Sequence, residues 1–342
     1  MKERIYCLDL IKGISIILVL SIHFVMRQGI KQELLAPFWL KGGVPLFIIV
    51  SGITHSRSLY SVNHMEKAYG ISRILKQITA YSVPFAIFYI YYTIKAGLSG
   101  YSFIEWILGF INGGPGMGGY YYPLMIQMVF IFPVIFWTIK KYSKIGLLIF
   151  FIINFCYQIV QMSYSIGIET YRLVLFRYIF LLAYGAYFYK QFIDNSQYKI
   201  MWSVYSVAFI LGLGFIYYVD YSGYTPLFIP DFVDTSYIAG FYWISVFCLI
   251  FILGKGIRFR ILEYFGRASW HIYLIQMLFW KFYYPDIRDM LSNNFYRYCV
   301  SIISCCLIGL FFFHVECYVR CRISNCLHEL MISVQKEGLK SR

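Results

Sequence analysis

LDLIKGISIILVLSIH, residues 8–23, decides how the chain is read. It has the composition of a membrane helix, yet it carries Asp9, Lys12 and His23. A charge near the bilayer centre costs about 3 kcal/mol even on lenient insertion scales, so these groups need something to face. At about 100° per residue, Lys12 and His23 point within about 20° of one another. Asp9 stands three residues before Lys12, within ion-pair reach on the same face. The three side chains form one stripe along one helix.

The rest of the chain agrees with a membrane reading. Of 342 residues, 60% are hydrophobic and 13% charged, about half the charged share of a soluble domain. The net charge of +14 does not point to nucleic acid, because the basic residues sit between apolar runs and no nucleic-acid motif is present. The first apolar run contains charges and lacks a small-residue cleavage site, so it is expected to remain as the first span. Nine cysteines, mostly inside apolar runs, do not suggest a disulfide framework. His314, Cys317 and Cys321 match no zinc spacing, and no metal is expected.

Apolar runs long enough to span a bilayer fall at 7–26, 38–56, 74–94, 120–139, 145–163, 173–190, 200–220, 236–254, 268–284 and 297–319. The expected fold is therefore an all-α polytopic bundle of about ten transmembrane helices. The run 268–284 is short and contains His271. Ile104 to Ile111 is too short to span and is expected to lie in the interface or re-enter. Cytoplasmic loops carry the excess of Lys and Arg. With both termini inside, twenty basic residues fall on the cytoplasmic side and seven outside. Residues 1–320 then form one transmembrane domain and 321–342 a short basic cytoplasmic tail.

Two loops stand out. Ile111 to Pro123, INGGPGMGGYYYP, lacks the Gly-Lys-Ser/Thr ending of a phosphate-binding loop and reads as a gate or re-entrant segment. DYSGYTPLFIPDFVDT, residues 220–235, sets Asp220, Asp231 and Asp234 beside aromatic rings. That suits either sugar binding or a solvated surface.

Depth sharpens the stripe. Lys12 and His23 are about 16 Å apart along one face at about 1.5 Å per residue, with Lys12 near the cytosol and His23 past the midplane. A long donor with a charged head and a reactive tip fits that spacing. Acyl-coenzyme A has this form, and the basic inner residues Arg73, Lys76 and Arg267 can add phosphate contacts.

These residues are similar to the signature of the acyltransferase-3 family, integral membrane enzymes that modify sugars of bacterial surface polysaccharides. The signature is Asp, a basic residue, and His after ten more positions, here Asp9, Lys12 and His23. VPLFIIVSG (44–52), SRILKQITAYSVP (72–84), YYYPLMIQ (120–127), LFRYIFLLAYGAY (175–187), FGRASWHIYLIQ (265–276) and Glu316 resemble further family elements, in order. Lys12 stands where many members have Arg, and Gln276 where the family element ends in His.

The resemblance implies O-acyl transfer, with acetyl from acetyl-CoA most expected, to a sugar hydroxyl of a cell-surface polysaccharide or its precursor. The setting is the plasma (inner) membrane, and the lipid bilayer and the sugar acceptor are the other partners. His23 is then the catalytic base, Asp9 holds Lys12, and Lys12, Arg73, Lys76 and Arg267 bind the donor. Tyr121, Tyr122, Gln127 and Gln276 are candidates for acceptor binding. A transporter or flippase for polysaccharide precursors is the alternative, though such proteins often carry a structural repeat and none is visible.

Overall fold

A computed structural model describes residues 5–62, 64–97, 102–114, 116, 118–193, 202–222 and 237–340. Asp231 and Asp234 lie outside them. The described residues form helices and turns, with no strand among them. This is the expected outcome for a chain that must satisfy its backbone polar groups without water.

In chain order the helices are α1 (Tyr6–Gln28), α2 (Ala36–Trp39), α3 (Gly43–Leu59), α4 (Met65–Ala68), α5 (Ile71–Ala96), α6 (Phe103–Ile111), α7 (Tyr121–Tyr142) and α8 (Lys144–Ser163). They continue as α9 (Ile168–Leu173), α10 (Ile179–Phe188), α11 (Trp202–Tyr221), α12 (Tyr237–Gly254), α13 (Arg260–Arg267), α14 (Ser269–Leu278), α15 (Tyr284–Met290) and α16 (Asn294–Lys340). Seven helical segments are long and apolar enough to cross a membrane: Tyr6–Gln28, Ala36–Leu59, Tyr121–Tyr142, Lys144–Ser163, Ser203–Tyr221, Tyr237–Gly254 and Asn294–Arg322.

The other three expected spans are helical but differ in kind. α5 is long enough, but Arg73, Lys76 and Lys95 make its ends polar. The run 173–190 is not one helix: it breaks between α9 and α10 through a 3₁₀ turn at Leu175–Tyr178. Gln127 of α7 holds that break open, donating to the Leu173 carbonyl at 2.5 Å and accepting from Leu175 N–H at 2.9 Å. The run 268–284 is α14 followed by a π-turn, Phe279–Tyr283, that leads into α15. α16 continues as helix through residues 321–340, the segment set apart in sequence as a tail.

Two close crossings set the middle of the bundle. A Cβ on Gly52 of α3 would lie 2.3 Å from the Leu182 carbonyl oxygen, and one on Gly185 of α10 equally close to that of Ile49. Small residues let these backbones touch. The second crossing is α1 against α13: a Cβ on Gly13 would lie 1.9 Å from the Leu262 oxygen, and one on Gly266 at 1.9 Å from the Asp9 oxygen. That contact draws the short basic helix α13 onto the Asp9–Lys12 turn.

Contacts also define the two ends. At one, Arg73 bonds Ser58 in the last turn of α3, Arg320 donates to the Thr79 carbonyl, and the Arg258 guanidinium sits over the Tyr6 ring. At the other, Gln28 bonds Tyr284, the Tyr91 and Tyr283 hydroxyls meet at 2.6 Å, and Asp220 pairs with Lys31 and Lys41 at 2.8 and 3.4 Å. The start of α1 and the Arg320 turn of α16 thus share the first, more basic end.

Candidate active site

The α1–α13 crossing forms one wall of a cavity of about 660 Å³ at the basic end. Asp9 and Lys12 reach it from α1, Ser51, Thr54 and His55 from α3, and Arg267 from the end of α13. Asp9 is buried and Lys12 half-buried. The period of the helix explains the grouping: positions 9 and 12, and positions 51, 54 and 55, each fall on one face. His314 and Cys317 of α16 close another side, and His314 is hydrogen-bonded to Tyr264.

An aromatic wall completes the cavity. Tyr81, Tyr121, Trp270 and Tyr273 all line it. Trp270 stacks against Tyr273 with centroids 5.8 Å apart, and Tyr121 tilts against both rings. The Tyr273 hydroxyl donates to the Gly118 carbonyl, so the glycine-rich loop is anchored to this wall. Trp270 Nε1 is buried with no hydrogen-bond partner among the described residues. Among the described residues it is a donor without an acceptor, in a cavity lined by cations and rings. A site with these groups can hold an anionic, partly aromatic molecule: cations for phosphate, rings for a flat base or for carbon–hydrogen surfaces.

Beside the cavity, Glu316 of α16 is hydrogen-bonded to His271 of α14 and ion-paired with Arg320 one turn on. Glu316 and His271 are both buried, and a buried carboxylate needs such partners. The pairing docks α16 onto α14 and so fixes the Trp270 wall.

The residues singled out from sequence are therefore brought together in part. Asp9, Lys12, Arg267 and Tyr121 share the cavity. Arg73 lies outside its lining with its guanidinium on Ser58, 2.6 Å from Oγ, and Lys76 is exposed on the next turn of α5. Tyr122 points the other way, stacked on Phe85 at 3.9 Å with its hydroxyl 3.0 Å from Ser82. Gln127 spends both amide groups on the α9–α10 break. Gln276 is fully buried behind Tyr273, and neither amide atom has a partner among the described residues.

His23 is three turns along α1 from Lys12, half-buried and outside the cavity lining. Its Nδ1 is buried without a hydrogen-bond partner among the described residues.

His55 is the residue the sequence reading passed over. It is buried on the cavity wall, its ring 5.2 Å from Phe132. The signal was present, since an ionisable residue inside an apolar run is the criterion that singled out His23. No curated protein and no solved structure matches the chain. The family model described as an acyltransferase domain, Acyl_transf_3, matches residues 5–314, and the chain belongs to this acyltransferase family as a multi-pass membrane enzyme.

Proposed function

We propose that the enzyme transfers an acyl group, acetyl in the simplest case, from acyl-coenzyme A to a sugar hydroxyl of a cell-surface polysaccharide or its precursor. The observation that carries this reading is the cavity that gathers Lys12, Arg267 and an unpartnered Trp270 N–H against an aromatic wall. Lys12 and Arg267 take the donor phosphates, and the rings pack on its adenine or pantetheine. Arg73 and Lys76 act from outside the lining, drawing an anion to the basic end by long-range attraction. That end faces the cytoplasm of the plasma membrane, by the charge rule.

The pantetheine arm extends along the α1 stripe, and the thioester reaches His23 about 16 Å away. His23 accepts the proton of the sugar hydroxyl as its oxygen attacks the thioester carbonyl carbon. The carbon–sulfur bond then breaks, and coenzyme A leaves with a proton from the imidazolium. A positioned base of this kind contributes about 10²–10⁴ in rate. Asp9 holds Lys12 toward the phosphates. Tyr121 lines the donor cavity, and Gln276 presents two unpaired amide atoms behind it for the acceptor end.

One observation favours a second reading. His55, not His23, shares the cavity with Lys12, so His55 is the base if transfer finishes at the basic end. The test is release of coenzyme A from acetyl-CoA by purified enzyme in nanodiscs, with a panel of sugar acceptors. His23→Ala should abolish sugar-dependent release while His55→Ala retains it. The reverse pattern moves the chemistry to His55, and no sugar-dependent release by the unaltered enzyme would overturn the reading.

A further inference from the structure

A second recess lies at the opposite end of the bundle, between the last turns of α5 and the short helix α6. It is a cleft of about 240 Å³ lined by Tyr89, Tyr92, Thr93, Glu105, Trp106 and Asn112, among others. None of these residues belongs to the basic cavity. α6 presents Phe103, Ile104, Leu108 and Ile111 outward, all strongly exposed. A helix with one bare apolar face and one packed face lies in the membrane interface. Its packed face carries Trp106, Phe110 and Gly109, where a Cβ would meet the Tyr89 hydroxyl at 2.5 Å, while Glu105 stays exposed at the rim of the cleft.

The side chains of the cleft are held in place. Ser102 caps α6, with its N–H and Oγ bonded to Glu105 Oε2 at 2.8 and 2.9 Å. The backbone and side-chain hydrogen bonds from Ser102 hold the Glu105 carboxyl below its usual range, so it is an ionised, acceptor-only group. The Tyr89 hydroxyl donates to the Trp106 carbonyl at 2.8 Å, and the two rings stand 5.3 Å apart. Thr93 donates back to the Tyr89 and Ile90 carbonyls at 3.0 and 2.9 Å, which leaves its oxygen as an acceptor. Asn112 ends α6 with an exposed amide. The cleft therefore combines fixed aromatic faces with a carboxylate, an amide and a hydroxyl.

We infer that this cleft is an acceptor subsite that binds a single pyranose ring of the glycan. A pyranose presents carbon–hydrogen faces to aromatic rings and pairs of neighbouring hydroxyls to planar carboxylates and amides. Aromatic rings with a carboxylate also suit a quaternary ammonium. The neutral Asn112 amide and Thr93 hydroxyl satisfy hydroxyl groups and offer nothing to a trimethylammonium, so the polyol is the better fit. The inference rests on the reading of the enzyme as a sugar acyltransferase, and it assigns the glycan to the end away from the donor phosphates.

The experiment is saturation-transfer NMR on the full chain in nanodiscs, with methyl β-glucoside, methyl β-galactoside and methyl N-acetyl-β-glucosaminide as probes. At least one glycoside should bind. Trp106→Ala should weaken it roughly five- to tenfold, the loss expected for one aromatic contact. Asn112→Ala, an exposed change at a helix end, should weaken it about threefold while thermal stability is unchanged. Binding unaltered in both variants, no binding of any glycoside, or displacement by choline chloride but not by free monosaccharide would each overturn the subsite. Coenzyme A binding on the same preparations separates the two claims. Coenzyme A bound without any glycoside removes the subsite alone, whereas glycoside binding lost in Trp106→Ala keeps the subsite even if coenzyme A does not bind.

Discussion

The two ends of the bundle are built from different chemistry. The basic end has a large, partly open cavity in which Lys12, Arg267 and two histidines meet an aromatic wall. The opposite end has a smaller cleft whose charged group is a carboxylate, Glu105, set among Tyr and Trp. One end suits a polyanion and the other an uncharged polyol. Under the proposed function, the difference teaches how a membrane acyltransferase would take donor and acceptor at opposite ends, with α1 joining the two.

The comparison can be broken most severely at that join. His23→Ala should lower turnover by about 10²–10⁴, the worth of a general base, with expression and coenzyme A binding retained. Turnover, thermal stability and binding measured on one preparation decide this. A protein that loses stability instead has lost a packing histidine. Loss of the α1–α13 crossing should come next. Gly266→Val places side-chain atoms against the Asp9 backbone, where even a Cβ lies at 1.9 Å. Overpacking of this kind costs about 1–3 kcal/mol, read as a lower Tm together with weaker donor binding.

Smaller effects sharpen the contrast between the ends. Lys12→Ala should raise the half-saturating acetyl-CoA concentration about tenfold, equivalent to about 1.4 kcal/mol, and Lys12→Arg should recover most of it. Lys76→Ala, outside the cavity lining, should change that concentration by no more than about twofold, since exposed charges count little. At the far end, Asp220→Asn removes the shared partner of Lys31 and Lys41. The expected cost is about 1 kcal/mol, seen as a Tm lower by a few degrees with donor affinity untouched.

How much of this was legible in sequence follows from how local each cause is. Asp9 and Lys12 sit three residues apart on an apolar helix, so their shared face could be read directly, and Arg267 was reachable through its motif. The break between α9 and α10 was not legible. The run there is apolar apart from Arg177 and the terminal Lys190, and the groups that hold it open belong to Gln127, more than forty residues earlier. For the same reason sequence alone makes Gln127 a candidate acceptor ligand, whereas in the structure its amide braces the chain. Tyr122 and Tyr121 are adjacent in sequence and face different surroundings, which only the packing of Phe85 and Trp270 around α7 decides. The cleft at α6 combines two helices that are each unremarkable alone: Tyr89, Tyr92 and Thr93 look like span residues, and Trp106 looks like an interfacial anchor.

The most direct test of the central claim uses two cysteines on α16. Cys317 lines the cavity, and Cys321, one turn on, does not; both are exposed. Alkylation of each by a soluble maleimide is followed by mass spectrometry, with and without millimolar desulfo-coenzyme A, which carries the donor phosphates but no competing thiol. Donor binding in the cavity predicts that Cys317 is labelled several-fold more slowly with the ligand while Cys321 is unaffected, and that Lys12→Ala loses the protection. Equal labelling of Cys317 with and without the ligand, under conditions where the enzyme releases coenzyme A from acetyl-CoA, would contradict the placement of the donor at the basic end.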